Sequence, residues 1–340
     1  MKKLEEILNS QPKYRLTQCY KVIFSDLISN WQEATALPAS LREKLAKEFP
    51  LEIKSEFFDS VDEKTTKALI SLEDDLKIET VLMRHRDNRR TVCVSCQVGC
   101  PLNCEFCATG QMGFKRNLSS WEIVMQVLTF ARFLEKTGDG NRISNIVFMG
   151  MGEPFLNYDN VMEAIRLLNS EDVFNIGARH ISVSTAGITE GIEKFSGENL
   201  QVNLAISLHA PNDELRNSLM PINKKYPLQN IFEAVDRYIE KTSRKVMFEY
   251  LLIDGVNDSD DLAYDLAKLM RKPLYMVNLI PCNSVGIFKP SPSERVMRFR
   301  EILEREGVNV TQRFRFGRDI KGACGQLAGS KIKLGLKSNT

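Results

Sequence analysis

Apolar positions recur at helical spacing through the first part of the chain. Leu4, Ile7 and Leu8 form one stripe, and Cys19, Val22, Ile23, Leu27 and Ile28 another. This periodicity predicts short helices over residues 1–60, read as a small N-terminal helical accessory domain. Further on the period changes. Two strand-like runs, Ile78 to Met83 and Thr91 to Ser95, flank the turn-forming pair Asp87-Asn88, so residues 61–92 read as a linker and a β-hairpin. Strand-like runs then alternate with helical ones. The strands are Thr91 to Ser95, Asn145 to Met149, His180 to Thr185, Val202 to Leu208, Val246 to Ile253 and Tyr275 to Ile280, rich in β-branched and apolar residues. Between them, Val161 to Leu168, Ile231 to Ile239 and Leu262 to Met270 carry helical patterns. Ser119 with Glu122, and Ser291 with Glu294, predict capping boxes that open two more helices. Six strands alternating with helices imply an α/β fold, a parallel sheet curved into a barrel or part of one. Such folds collect ligands at the C-terminal ends of their strands.

Composition narrows the class. With 340 residues, 43% of them hydrophobic and 26% charged, the chain can bury a large core. No apolar run approaches the ~20 residues needed to cross a bilayer, and Met1-Lys2-Lys3-Leu4-Glu5-Glu6 lacks the apolar core of a secretory signal. The expectation is a cytoplasmic protein without a membrane partner. A formal net charge of +2 would not hold a polyanion through the field of the whole molecule. Local patches could: residues 307–340 carry seven Lys/Arg and one Asp, including Arg313, Arg315, Arg318 and Lys321. Lys115 and Arg116 add to them, and the hairpin tip holds Arg84, Arg86, Arg89 and Arg90. Any one such run is also compatible with a merely solvated face.

Of the eight cysteines, five fall between Cys93 and Cys107, a clustering that in a long cytosolic chain points to metal or thiol chemistry. Cys100-Pro-Leu-Asn-Cys104-Glu-Phe-Cys107 follows the first barrel strand. Three thiolates within eight residues can converge on one soft metal centre. The spacing lacks the paired fourth ligand of common zinc sites, although Cys93 and Cys96 stand close enough to keep a zinc site open. A cubane held by three cysteines leaves one iron free to bind a further ligand.

This loop resembles the radical S-adenosylmethionine signature, down to Phe106 before the last cysteine. The resemblance implies a 4Fe–4S cluster on Cys100, Cys104 and Cys107, whose open iron chelates the methionine moiety of S-adenosylmethionine, and a partial (β/α)6 radical SAM barrel over residues 93–329. It implies cofactor contacts from Gly152 and Glu153 in Gly150-Met-Gly-Glu-Pro154, from Ser184, from Ser207-Leu208-His209 and from Asn283. Within that superfamily the chain is similar to the RlmN family of RNA methyltransferases, with Cfr as a close cousin. The specific strings are Cys93-Val-Ser-Cys-Gln-Val-Gly-Cys100, Gly113-Phe-Lys-Arg-Asn-Leu118, Ser207-Leu-His-Ala-Pro-Asn212, Met220-Pro-Ile-Asn-Lys-Lys-Tyr226 and Ala323-Cys-Gly-Gln-Leu327.

The chemistry that the resemblance implies suits an electron-poor target, carbon 2 of adenine. One S-adenosylmethionine methylates a cysteine thiolate. A second yields a 5′-deoxyadenosyl radical that activates the methylthio group, the resulting carbon adds to the base, and a second thiol resolves the adduct as a disulfide. By motif, Cys324 is the methyl carrier, Cys93 the resolving thiol and Glu79 the proton acceptor, while Cys96 stands where the family has serine. Taken without the resemblance, Glu79 reads as a surface carboxylate, and Cys19 and Cys282 as small core residues. The implied partners are 23S ribosomal RNA, transfer RNA, and a reducing donor such as flavodoxin or ferredoxin. Pro154 favours carbon 2, because the Cfr cousins, which methylate carbon 8, have alanine there. The alternatives from other classes are a radical activase or isomerase without methylcysteine and a zinc-stabilised RNA-binding module. Residues 330–340 read as a mobile tail.

Overall fold

The structure is a computed structural model that describes residues 1–139, 142–313, 317 and 319–328. Its centre is one ten-stranded sheet. Four strands, β1 (Lys54–Asp59), β2 (Thr65–Ser71), β3 (Lys77–Arg84) and β4 (Arg90–Cys93), form an antiparallel meander. A two-stranded ribbon, β5 (Gln97–Gly99) and β6 (Phe114–Asn117), stands apart. The main sheet continues from β4 through β7 (Asn145–Phe148), β8 (Ile181–Thr185), β9 (Asn203–Ser207), β10 (Val246–Leu252), β11 (Tyr275–Pro281) and β12 (Val310–Gln312), all parallel. Helices Ser120–Thr137, Tyr158–Asn169, Thr189–Ser196, Leu228–Thr242, Asp260–Leu269 and Ser293–Arg305 fill the crossovers. The α/β partial barrel expected from the alternation is therefore present, with its six strands extended by β12.

Local chemistry explains the best-defined elements. Ser119 and Glu122 close a reciprocal capping box at the start of helix Ser120–Thr137: the Glu122 N–H donates to Ser119 Oγ at 3.2 Å, and the Ser119 N–H donates to Glu122 Oε2 at 2.8 Å. Gly138, left-handed at φ 70°, ends that helix. The second expected box does not form. Helix Ser293–Arg305 starts after Pro292, which occupies the cap position without a side-chain acceptor, so Ser291 lies one residue too early and its buried hydroxyl makes no hydrogen bond.

Two boundaries also move. The N-terminal helical stretch ends at Glu48 rather than near residue 60, because Lys54–Asp59 pairs as β1 with β2. The segment read as a linker contains β2, an integral strand of the main sheet. The helical segment packs on the barrel, with Phe49 4.9 Å from Trp121 and Phe24 5.3 Å from Phe174 between ring centroids. Arg132 of helix Ser120–Thr137 donates to the Leu51 carbonyl at 2.9 Å and to the Leu27 carbonyl at 3.3 Å. Cys19 and Cys282 are both buried in apolar clusters, as expected. Among the described residues no helix is long and apolar enough to cross a membrane.

Candidate active site

A cleft of about 1010 Å³ opens at the C-terminal ends of the parallel strands. Cys100, Cys104, Cys107, Gly152, Glu153, Ser184, Ser207, His209, Asn283 and Cys324 all line it. A second cavity of about 560 Å³ adjoins it and is lined by Cys93 and again by Cys324. Two of the expected site residues lie behind the walls. Leu208 is buried and works through its backbone, its N–H donating to the Glu249 carbonyl at 3.0 Å. Glu79 sits beneath the C-terminal loop.

The cysteine loop does not follow β4 directly, since β5 intervenes, and the strand stops at Cys93. Gly99, at φ 74°, is obligatory at the loop's entry: a Cβ there would lie 1.8 Å from the Gly113 carbonyl oxygen. The Cys100 N–H donates to that same oxygen at 3.2 Å. Burial pushes the Cys100 thiol up to about 12 and holds Cys104 well above the usual range, with the neighbouring cysteines adding to both. Such a set of soft, desolvated sulfurs fits a cationic iron–sulfur group, whose binding would favour the thiolates. Among the described residues no three His, Cys, Asp or Glu side chains are gathered to hold a single metal ion. Cys93 lines the second cavity, while Cys96 is 2% exposed and its N–H donates to the Met151 carbonyl at 2.8 Å.

Gly150 to Pro154 turns sharply after β7. Gly152 adopts φ 102°, and a Cβ on it would lie 2.5 Å from Gln97 Cβ. This close approach lets the Glu153 N–H donate to Gln97 Oε1 at 2.9 Å. The Glu153 carboxylate accepts from the Phe155 N–H at 3.0 Å and from the Ala186 N–H at 2.8 Å. Burial raises it to about 7 against these hydrogen bonds and one from Thr185, so it is partly protonated near neutral pH and a cationic ligand would draw it into the ionised form.

Ser184 Oγ and Ser207 Oγ lie 3.3 Å apart at the ends of β8 and β9. His209 takes a left-handed backbone at φ 59°, and its ring meets Phe106 edge to face at 4.9 Å. His209 Nδ1 accepts from the Leu251 N–H at 3.1 Å, which assigns the ring proton of the neutral form to Nε2. Burial lowers this imidazole to about 3. Behind the rim, fully buried Arg216 donates to the carbonyls of Leu208, Ala186 and Ser207 at 3.0, 2.7 and 2.9 Å.

The C-terminal loop brings Cys324 to the cleft from more than 200 residues beyond Cys93. Asn283 Nδ2 donates to the Cys324 carbonyl at 3.2 Å, the Ala108 N–H to the Gly325 carbonyl at 2.8 Å, and Thr109 Oγ1 to the Leu327 carbonyl at 2.7 Å. Cys93 is pushed up to about 12 by burial, with Cys324 adding to the rise; Cys324, exposed in the open cleft, is raised by the protein packed around it and by Glu249, and Arg313 opposes both shifts. Arg313, half-buried, therefore lines the site itself, beside both thiols. Glu249 faces it from β10, buried, with Oε2 held by Asn278 at 2.8 Å and Oε1 without a hydrogen bond. Sequence reasoning missed Glu249, since a carboxylate inside an apolar strand run was the only signal. Glu79 is no surface carboxylate: it is 1% exposed and pairs with Lys67 at 2.7 Å.

The basic surface is smaller than its charge count suggested. Arg84 and Arg90 pair with Asp139, Arg89 with Asp87, and Arg116 with Asp74 and Glu122. Arg86, Lys115 and Lys321 are exposed. Arg315, Arg318 and the tail 330–340 lie outside the described residues.

Comparison with known proteins agrees with this geometry. The signature of the radical SAM superfamily matches residues 94–267. A protein from Dictyoglomus thermophilum described as a probable dual-specificity RNA methyltransferase RlmN is 46% identical over 325 residues, 95% of this chain and 92% of its own. One of the same description from Streptococcus suis is 42% identical over 331 residues, covering 96% and 89%. The crystal structure of a radical SAM methyltransferase from Sphaerobacter thermophilus superposes with a TM-score of 0.92 at 45% identity, covering 96% of this chain and 97% of that one.

Proposed function

We propose, from the premise that this chain belongs to the radical SAM superfamily and within it to the RlmN family of dual-specificity RNA methyltransferases, that it methylates carbon 2 of an adenine in 23S ribosomal RNA and in transfer RNA. Membership makes it an S-adenosylmethionine-dependent RNA methyltransferase. The observation that carries the finer reading is that Cys324 lines both the cleft with the three loop cysteines and the cavity that holds Cys93.

In this reading Cys100, Cys104 and Cys107 hold a 4Fe–4S cluster. Glu153, Ser184, Ser207, His209, Asn283 and the backbone at Gly152 hold S-adenosylmethionine, while Leu208 fixes the rim from behind through its backbone. When bound, these groups supply a transferable methyl group and, on reduction by a small donor protein such as flavodoxin or ferredoxin, a hydrogen-abstracting radical. The residues do the rest. Cys324 carries the methyl group as a thioether and delivers its carbon to the base. The Cys93 thiolate then attacks the Cys324 sulfur: an S–S bond forms, the C–S bond breaks, and its electron pair stays with the methylene carbon on the base, which takes up a proton to become the methyl group. Glu79 accepts the proton lost from carbon 2. Arg313 faces both sulfurs and favours their thiolate forms, opposing the rise that the surrounding protein imposes. The adenine must leave its stack to reach such a cleft.

Nucleoside mass spectrometry of RNA incubated with the reconstituted enzyme reads the base and the methylated carbon together. A methyl group at carbon 8, or none on adenine, would overturn the proposal. Replacing Cys93 with alanine should leave methylation of Cys324 intact and accumulate a covalent protein–RNA adduct. Free methylated RNA made at the parent rate by that variant would remove Cys93 from the mechanism.

A further inference from the structure

Lys67 has no role in the reading above, yet it is among the most deeply buried charged residues of the chain, 1% exposed within β2. In the β2–β3 register it stands opposite Val81, while Glu79 stands opposite Leu69, so the two lie diagonally on one face of the pair. Lys67 Nζ donates to Glu79 Oε1 at 2.7 Å, and the ring of Phe58 lies 5.8 Å away. A buried ion pair is a poor way to stabilise a sheet, since apolar residues of similar size often do as well. Its value here lies with a third partner. Glu79 Oε2 accepts the N–H of Ala328, four residues beyond Cys324, at 2.7 Å. The rest of Glu79 is fixed from the other side: its carbonyl accepts from Ser95 Oγ at 2.6 Å, and that hydroxyl accepts the Met151 N–H at 2.9 Å. Glu79 thus joins the meander, the turn before the cysteine loop and the C-terminal loop.

We infer that Lys67 is a positioning residue: it fixes the Glu79 carboxylate so that its second oxygen anchors Ala328 and sets the position of the loop that carries Cys324. A consequence follows for the order of events. While the anchor holds, the loop covers Glu79, which is 1% exposed, so Oε2 becomes available to a proton from the base only after the loop lets go of it. Loop release and proton acceptance are then one coupled event. The catalytic half of this inference rests on the reading of Cys324 as methyl carrier; the anchoring half does not.

The test uses the reconstituted holoenzyme with three substitutions. Lys67→Met removes the cation at similar length, Lys67→Arg restores it, and Ala328→Pro deletes the anchored N–H while leaving the Lys67–Glu79 pair in place. Hydrogen exchange of the amides of Gly322 and Gln326 reads the loop, and single-turnover transfer of methyl from Cys324 to RNA reads the reaction. A charge-assisted hydrogen bond of this kind is worth a factor on the order of ten or more. The expected result is exchange about tenfold faster and transfer about tenfold slower in Lys67→Met and Ala328→Pro, with iron content and S-adenosylmethionine affinity at parent values and Lys67→Arg close to the parent in both. Unchanged exchange in Ala328→Pro overturns the anchor, whether or not Lys67→Met folds. Exchange that quickens equally in Lys67→Met and Lys67→Arg overturns the role of the charge. Faster exchange with undiminished transfer supports the anchor and overturns its coupling to the reaction, whereas a parent enzyme whose Cys324 passes no methyl to RNA fails the carrier reading and leaves the anchor standing.

Discussion

Substituting alanine for Gly152 should disable the cleft through geometry alone. At φ 102° the backbone lies in a region that side chains rarely enter, and holding a non-glycine residue there costs on the order of 1–3 kcal/mol. The new Cβ would also lie 2.5 Å from Gln97 Cβ, 2.7 Å from Cγ and 2.9 Å from the Gln97 backbone nitrogen, and the last of these cannot swing aside. Gln97 must therefore retreat. Its retreat breaks the hydrogen bond from the Glu153 N–H at 2.9 Å and strains the one to Asn117 Oδ1 at 2.8 Å, each worth roughly 1 kcal/mol. The sum is about 2–5 kcal/mol, divided between stability and the placement of Glu153. Gly255→Ala is the control, because Gly255 also has a positive φ, 67°, but a Cβ there meets nothing within 4 Å. Differential scanning calorimetry and equilibrium binding of S-adenosylmethionine to the reconstituted protein measure the two parts. We expect Gly152→Ala to lower the melting temperature well beyond the control and to weaken binding at least about tenfold, the factor that corresponds to 1.4 kcal/mol. If Gly152→Ala melts with Gly255→Ala and binds like the parent, the turn tolerates a side chain, and its assignment as a cofactor-binding element loses its physical basis.

Two further substitutions probe the rim. Arg216→Met should destabilise by about 3–5 kcal/mol, since it strips the donors from the buried carbonyls of Leu208, Ala186 and Ser207; Arg216→Lys should recover only part because it lacks the planar fork. A melting temperature unchanged in Arg216→Met would refute that account. His209 gives a pH signature: its folded value of about 3 lies below the usual 6.5, so as pH falls the unfolded chain takes up the proton first. Its contribution is complete above about 6.5 and is lost progressively towards 3, at most about 5 kcal/mol by linkage. Asparagine tolerates the left-handed backbone and offers an acceptor to the Leu251 N–H, so His209→Asn should flatten this part of the stability–pH curve while remaining folded. An equal slope in that variant would assign the dependence to another group.

Elements whose apolar pattern is uninterrupted were legible in the sequence. The six main parallel strands and the capping box at Ser119 lie where periodicity and side-chain chemistry put them, because both signals act locally. What escaped was set by tertiary context. β2 reads Thr65-Thr-Lys-Ala-Leu-Ile-Ser71, with a lysine where a core strand should be apolar, and only the distant Glu79 makes that lysine tolerable. β12 is three residues at a sheet edge, two of them exposed, and has almost no pattern to read. Arg313 was counted with its basic neighbours, since sequence cannot tell a solvated arginine from one that faces two thiols. The glycine-rich turn after β7 was legible as a motif, but the reason for its second glycine, the approach of Gln97, was not.

The two adjoining cavities bear on how one thiol serves two partners. Met149, Ile280, Asn283, Arg313, Cys324 and Leu327 line both, and of the cysteines Cys324 alone does so. In the proposed cycle its sulfur must meet a methyl donor held over the loop cysteines and later meet Cys93. A residue on the partition between the two spaces can do so by a change of rotamer and a small loop displacement. The same partition carries Arg313, so the cation that favours thiolate is available on either side. Tight anchorage of the loop and its release are both useful to such a device, which makes the buried carboxylate beneath Ala328, and not the exposed tip of the loop, the place where a single substitution should separate the two halves of the reaction.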